Sequence, residues 1–293
     1  MERARHARVH RAEAARARPS RGARRALVRR GHASRPRAAA GGWHGRPRHT
    51  RGAGAARTAG AARAVRLSVI IPTLDEAERI GERLRELAAM TGVHEVWVVD
   101  GGSRDATRER VREAPGVHLL EAPRGRARQM NAGAAAASGD VLLFLHADVA
   151  LPPEAPAHVA RALGDTRTVA GAFKTWTVAD AGARSRLGPL LHLADLRSRY
   201  THLPYGDQAL FVRAEAFRAA GGFPEQPLME DLELSRRLRR QGHIARVDAR
   251  VRVSGRRFLA RPVFYFLAVN LFPLAYALGA TPEQLLGLYR HER

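Results

Sequence analysis

Between Val65 and Leu145 the chain alternates short apolar runs with segments of helical period, four times over. Leu67-Ser68-Val69-Ile70-Ile71-Pro72 is a β-branched run closed by a proline, the pattern of a buried strand. Ile80, Leu84 and Leu87 then recur at helical spacing among charged residues. His94 to Asp100 reads as a second strand, Val117 to Leu120 as a third and Val141 to Leu145 as a fourth. A helix capped by Ser103 and running through Glu113, and an Ala-rich helix from about Arg126 to Ala137, are predicted between them. These strands have no polar face, so both sides of their sheet must be covered, as in a parallel sheet. The predicted class is therefore α/β, a mostly parallel sheet flanked by helices. Ligands of such sheets sit beyond the carboxyl ends of the strands. Pro72 to Glu76, Asp100 to Ser103 and His146 to Asp148 all fall there.

After Pro152-Pro153 the alternation becomes irregular. Thr168 to Val178 predicts a longer strand, residues 183–200 a helix, and Gln208 to Val212 a short strand. Glu230 to Arg240 predicts a charged helix with Leu234 and Leu238 facing inward. Phe258 to Leu278 is strongly apolar but is interrupted by Arg261, Pro262, Asn270 and Pro273. A membrane-spanning helix needs about 20 apolar residues. A span, an interfacial segment or lid near a lipid acceptor, and ordinary packing all stay open for this stretch. The expected divisions are 1–64, 65–245 with halves 65–150 and 151–245, and a C-terminal apolar or amphipathic helical segment, 246–293.

Charge separates the first division from the rest. Residues 1–64 hold 18 Arg against Glu2 and Glu13, so they account for +16 of the net +22. The remaining 229 residues carry only +6. With almost no bulky aliphatics, the basic tail cannot bury enough surface to offset its ordering entropy, and it is predicted disordered. It lacks the apolar core of a secretory signal. A start codon placed too far upstream, a transit-like or nucleic-acid-binding tail, and a nonspecific polycationic arm remain open. The body's small charge gives no support for a specific nucleic-acid partner. The absence of cysteine excludes a disulfide-stapled fold, a Cys-ligated zinc site and a thiol nucleophile.

The candidate chemistry lies at the strand ends. Asp100, before Gly101-Gly102, has the place of a ribose or base acceptor, or of a turn or capping residue. In His146-Ala147-Asp148, strand alternation points the outer two side chains the same way. Asp148, with a diphosphate and water, suits Mg²⁺ or Mn²⁺. His146 is open as a second ligand, a ribose contact or a packed strand-end histidine. Arg124, Arg126 and Arg128 bracket a helix start where positive charge opposes the dipole unless an anion is near, with a solvated basic turn as the plain alternative. Asn131 and Gly133 follow them. Glu230-Asp231 opens a helix, as dipole partners or with a general-base role. Asp207 or Gln208 is a candidate sugar or acceptor contact, equally readable as a turn, and Tyr205 could stack on a sugar or simply pack.

Taken together, Ser68 to Thr73 with Asp75-Glu76, Val98 to Thr107, Asn131-Ala132-Gly133 with Ser138-Gly139-Asp140, Asp148, and Met229-Glu230-Asp231 resemble a family 2 glycosyltransferase of GT-A fold, over about residues 67–245. Leu145-His146-Ala147-Asp148 and Tyr205-Gly206-Asp207-Gln208 are similar to a small bacterial subgroup associated with radical-SAM or selenium-linked gene neighbourhoods, some with a carotenoid-acid label. The resemblance implies an inverting transfer from a UDP- or GDP-sugar, residues 65–150 being the nucleotide half and 151–245 the acceptor half. It implies that Pro72, Thr73 and Glu76 line the nucleotide pocket and that Asp100 binds base or ribose. One of Arg124, Arg126 and Arg128 assists, Asp148 binds a Mg or Mn divalent cation, and Asp231 is the base beside Glu230. Acceptor and oligomeric state are left undefined; a cytoplasmic setting is expected, with peripheral contact on the inner face of the cell membrane left open.

Two departures stand out. The family's DxD is His-Ala-Asp here. QxxRW is missing, since Trp43, Trp97 and Trp176 all precede the candidate base, which disfavours a processive polymer synthase. The competing readings are weaker. A nucleotidyltransferase of related fold needs a Gly-rich basic loop after the first strand, where this chain has Pro72-Thr73-Leu74-Asp75-Glu76. A Rossmann dehydrogenase or methyltransferase needs GxGxxG there.

Overall fold

In the computed structural model of the chain, residues 65–179, Asp195 and residues 203–290 are described. The tail expected over 1–64 and the helix expected over 183–200 lie outside them, Asp195 apart. The first apolar run forms β1 (Leu67–Thr73) and the Ile80-Leu84-Leu87 stripe forms α1 (Ala77–Ala88). There follow β2 (Val93–Asp100), α2 (Thr107–Arg112), β3 (Val117–Glu121), α3 (Arg126–Ala136) and β4 (Val141–Phe144). β1 pairs in parallel with β2 and β4, and β2 with β3. The alternation read from the sequence is thus this half of the fold.

Beyond it come β5 (Val149–Ala150), α4 (Ala155–Ala162), β6 (Thr168–Val178), a 3₁₀ turn (Gly206–Gln208), β7 (Phe211–Arg213), α5 (Ala214–Ala219), α6 (Glu230–Gln241) and β8 (His243–Ser254). Three helices close the described chain: α7 (Arg256–Ala260), α8 (Pro262–Ala277) and α9 (Pro282–Arg290). Among the described residues eight strands form one sheet in the order β3-β2-β1-β4-β7-β6-β8-β5. The order reverses direction after β1, and β7 enters antiparallel between β4 and β6. The boundary expected at residue 245 falls inside β8, which runs parallel to β6 along nearly its whole length.

The two faces of the sheet carry two cores. Val69 and Ile71 of β1 point to one, packed with Ile80 and Leu84 of α1 and Val159 of α4. Ile70 points to the other, with Met130 of α3, Phe217 of α5 and Leu234 and Leu238 of α6. Each such side chain contributes roughly 1.5–3 kcal/mol when fully buried. The helix α3 lies so close to the sheet that a Cβ on Gly133 would come within 2.6 Å of Ile70 Cγ2 and 2.9 Å of Val99 Cγ2. That contact accounts for the glycine in Asn131-Ala132-Gly133 and fixes how deeply the arginine-bearing start of α3 sits beside the ends of β1 and β2.

Three local expectations change. α2 starts at Thr107, not after Ser103, because the Asp105 carboxylate accepts the Thr107 N–H at 3.0 Å while the Ser103 hydroxyl donates to Asp100. His146-Ala147-Asp148 is a turn between β4 and β5 rather than a strand end. Gln208 closes the 3₁₀ turn and Ala209 is left-handed (φ 48°), so the strand expected from Gln208 begins only at Phe211.

Candidate active site

A cleft of about 700 Å³ opens at the carboxyl ends of β1 and β4. Pro72, Thr73 and Glu76 form one wall, Arg124, Arg126 and Arg128 a second, and His146 and Asp148 a third. The first wall is held by the β2–α2 loop. The N–H groups of Asp75, Glu76 and Ala77 donate to Ser103 Oγ, Thr107 Oγ1 and the Asp105 carboxylate at 2.9–3.0 Å, satisfying the start of α1. The three arginines surround the first turn of α3, where unpaired N–H groups and the helix dipole favour an anion. In the turn after β4, buried Ala147 faces the core, so its half-exposed neighbours His146 and Asp148 both reach the cleft. The same-side placement expected of the pair is met, though by a turn.

The second acidic pair, Glu230-Asp231, is buried and does not line the cleft, but two contacts tie it to the wall. Arg126 is ion-paired with Glu230 at the start of α6. The Gly206 N–H donates to Asp231 Oδ2 at 2.5 Å, and the Ser235 hydroxyl holds the same loop through Pro204 O at 2.9 Å. A Cβ on Gly206 would lie 2.9 Å from His146 Nε2 and 3.3 Å from Asp231 Oδ2. His146 and Asp231 therefore face each other across Gly206. Glu230 is 1% exposed and its Oε2 has no hydrogen-bond partner. Burial raises its pKa above the ordinary 4.5; Arg126 opposes this and Asp231 adds to it.

Other expected site residues spend their side chains on the backbone. Asp100 is fully buried and accepts from the N–H groups of Gly102 and Ser103, both at 2.9 Å, and from the Ser103 hydroxyl. It shapes the turn and does not line the cleft. Asn131 grips Phe223 at both ends, Nδ2 donating to its carbonyl at 2.8 Å and Oδ1 accepting its N–H at 2.9 Å. It ties the Gly221-Gly222-Phe223 loop to α3 and likewise stays off the cleft wall. Gln208 is 4% exposed and accepts the Tyr205 N–H at 2.9 Å. Asp207 is half-buried in the same turn.

Some cleft residues were not anticipated. Gln129 donates to Thr73 O at 2.7 Å and Val99 O at 2.8 Å, clasping the ends of β1 and β2. A buried polar residue on the sheet-facing side of α3 was its only signal. Glu225 to Leu228 supply the far wall, where Glu225 pairs with Arg128 at 2.9 Å. Leu286 of α9 also reaches the cleft. Beneath the His146–Asp148 turn, Arg83 of α1 is 7% exposed; burial pushes its guanidinium down while Glu82 and Asp148 pull it up. Asp148 thus lies in the field of a buried cation. The non-glycine residues with left-handed backbone among those described are Asp75, Ala209 and Met229. They adjoin Glu76, Gln208 and Glu230, so strain concentrates at this rim.

Among the described residues no group of three or more His, Asp or Glu could by itself hold a metal ion. Asp148 with His146 nearby is a partial donor set, and it fits a hard cation whose remaining positions come from phosphate and water.

The family model for glycosyl transferase family 2 matches residues 68–219. An undecaprenyl-phosphate 4-deoxy-4-formamido-L-arabinose transferase of Sodalis glossinidius (strain morsitans) is 28% identical over 160 residues, 51% of this chain and 48% of that protein. The chain thus spans about half the length of this curated relative. The mannosyltransferase PcManGT from Pyrobaculum calidifontis, solved with GDP-Man and Mn²⁺, aligns with TM-score 0.53 and 22% identity, over 65% of this chain and 57% of its own. S. aureus TarS 1–349 with UDP-GlcNAc aligns with TM-score 0.51 and 21% identity, over 64% and 58%. The shared fold is the GT-A arrangement: a curled, mostly parallel sheet flanked by helices.

Proposed function

Because this chain belongs to glycosyl transferase family 2 and is a glycosyltransferase, we propose that it moves a hexose from a UDP- or GDP-sugar to an acceptor oxygen, with inversion at the anomeric carbon. One observation carries the reading: the cleft gathers three arginines and Asp148 at the carboxyl ends of β1 and β4, with Asp231 buried just behind its His146 wall, across Gly206. UDP-GlcNAc and GDP-Man in the two structural relatives support a nucleotide-sugar donor.

The hard step is departure of a nucleoside diphosphate from an oxocarbenium-like carbon. Arg124, Arg126 and Arg128, with the first N–H groups of α3, meet the charge that grows on the phosphates. Glu230 holds Arg126 in that position. A divalent Mg or Mn ion held by Asp148, with His146 beside it, would supply further neutralisation of the leaving group. Asp231 takes the acceptor proton as its oxygen attacks the face opposite the diphosphate. The Gly206 N–H holds one carboxylate oxygen and the Leu232 N–H, at 2.7 Å, orients the other. An acceptor that is already ionised, such as a carboxylate or phosphate, has no proton to give and makes Asp231 dispensable. The name of the curated relative supports a lipid-borne acceptor of this kind.

A thermal-shift panel of nucleotide sugars, with and without Mn²⁺, tests the reading. A donor present at about 100 times its Kd adds roughly 2.7 kcal/mol, an upward shift of several degrees. The stabilising donor should need the cation, and Asp148→Ala should abolish that need. If no nucleotide sugar stabilises the chain under either condition, the proposal fails.

A further inference from the structure

The helix α8 is apolar almost throughout, yet it is buried along one side only. Ala268 is 7% exposed, and Tyr276 lies under the Arg236 guanidinium of α6, 5.1 Å from the ring centre. The opposite side is open. Val263, Phe266, Leu267, Leu271, Leu274 and Leu278 are 38–81% exposed. Their spacing of three and four puts all six on one face. The single polar residue within that face, Asn270, donates to Phe266 O at 2.7 Å and so needs no water for that N–H. No helix among the described residues is long and apolar enough to cross a membrane.

We propose that this face of α8 docks the protein on the surface of an anionic lipid bilayer. A helix that packs on its domain along one side and leaves an apolar face open can lie in the interface with that face roughly 5–10 Å deep. Charge selects this occupant over another protein molecule. Between Asp248 and Glu283 the sequence has five arginines, Arg250, Arg252, Arg256, Arg257 and Arg261, and no acid. Arg256 and Arg261 are exposed just ahead of the apolar face. A bilayer with anionic headgroups meets that charge. A second copy of the chain, paired two-fold through the same face, would bring the exposed Arg256 and Arg261 of the two copies toward each other. The next helix, α9, carries Leu286 on the wall of the cleft, so a docked α8 brings the cleft close to the lipid. The docking stands apart from the transfer chemistry, because lipid binding needs neither donor nor acceptor.

The test is co-sedimentation of the full chain with phosphatidylcholine vesicles containing about one-third phosphatidylglycerol. The Arg-rich first 64 residues will themselves attract these vesicles. The assay is therefore run at about 0.5 M NaCl, where the screening length falls to roughly 4 Å. Wild type should still sediment. The variant L267Q/L271Q/L274Q, altered only at exposed positions, should keep its circular dichroism and partition at least roughly tenfold more weakly. Leu271→Trp localises the contact: its added fluorescence should shift to the blue and be quenched by brominated lipid. Equal partition of variant and wild type, or an unchanged Leu271→Trp spectrum, overturns the proposal. So does light scattering that finds a wild-type dimer which the triple variant dissolves.

Discussion

Gly206→Ala is a sharp probe of the rim because the added methyl has a defined landing place. Its carbon would sit 2.9 Å from His146 Nε2, 3.0 Å from His146 Cε1 and 3.3 Å from Asp231 Oδ2. Ordinary contacts of such atoms need about 3.5–4.0 Å, so His146 must retreat by roughly 0.6–1 Å and Asp231 by less. The backbone at 206 is not left-handed, so alanine brings no torsional penalty. There it gains about 0.4–1 kcal/mol through the unfolded chain, against about 1–3 kcal/mol for overpacking. The melting temperature should therefore fall by only a few degrees. Catalysis is more sensitive, since a displacement near 1 Å costs on the order of 100-fold. The expected result, read as nucleoside diphosphate released from the stabilising donor, is a 10- to 100-fold lower kcat with donor KM little changed. The loss should shrink in a His146→Ala background, where the methyl has room. Undiminished kcat in Gly206→Ala, or an equal loss with and without His146, would refute the argument that His146 and Asp231 meet across this glycine.

Asp231→Asn should lower turnover with a hydroxyl acceptor by roughly 10²–10⁴-fold while leaving donor affinity intact by calorimetry; full turnover in a folded variant removes Asp231 from the chemistry. Asn131→Ala forfeits two hydrogen bonds to Phe223, about 2 kcal/mol by urea unfolding, without weakening donor binding. Burial raises the Glu230 pKa above 4.5, so between that ordinary value and the raised one the folded chain keeps a proton that the unfolded chain has released. Its contribution is therefore full below pH 4.5 and lost as pH rises through the raised value; Glu230→Gln should flatten that limb of the stability profile. Glu95 runs the other way. Burial pushes it up, but the Ser68 hydroxyl and the Ser138 N–H outweigh this and hold it at about 2, against 4.5. Its contribution is present above pH 4.5 and lost as pH falls toward 2, so Glu95→Gln should make unfolding less acid-sensitive.

The first half of the fold could be read from the sequence because a strand buried on both faces has to be apolar at every position. β1, with its unbroken run from Leu67 to Pro72, is the clearest case. The second half of the sheet could not be read in the same way. β8 alternates Arg246, Asp248, Arg250 and Arg252 with apolar residues, which a search for fully buried strands passes over. The cleft was legible where a residue type is rare in its setting, as with three arginines opposing a helix dipole. It was illegible where a polar side chain serves the backbone. Asp100 and Asn131 carry the same atoms as a ligand contact, and only their neighbours, Ser103 and Phe223, reveal what those atoms do. Leu286 gave no sign at all, since a single leucine in a late helix says nothing about what it covers.

The left-handed trio at Asp75, Ala209 and Met229 has a bearing on how this enzyme could be evolved. An L-residue in that conformation costs about 1–2 kcal/mol that glycine avoids. A screen for heat resistance alone should thus find Ala209→Gly and Met229→Gly among its early winners. Each would loosen the backbone beside the Glu230-Asp231 pair or the turn that holds it, so hardier progeny would be slower ones.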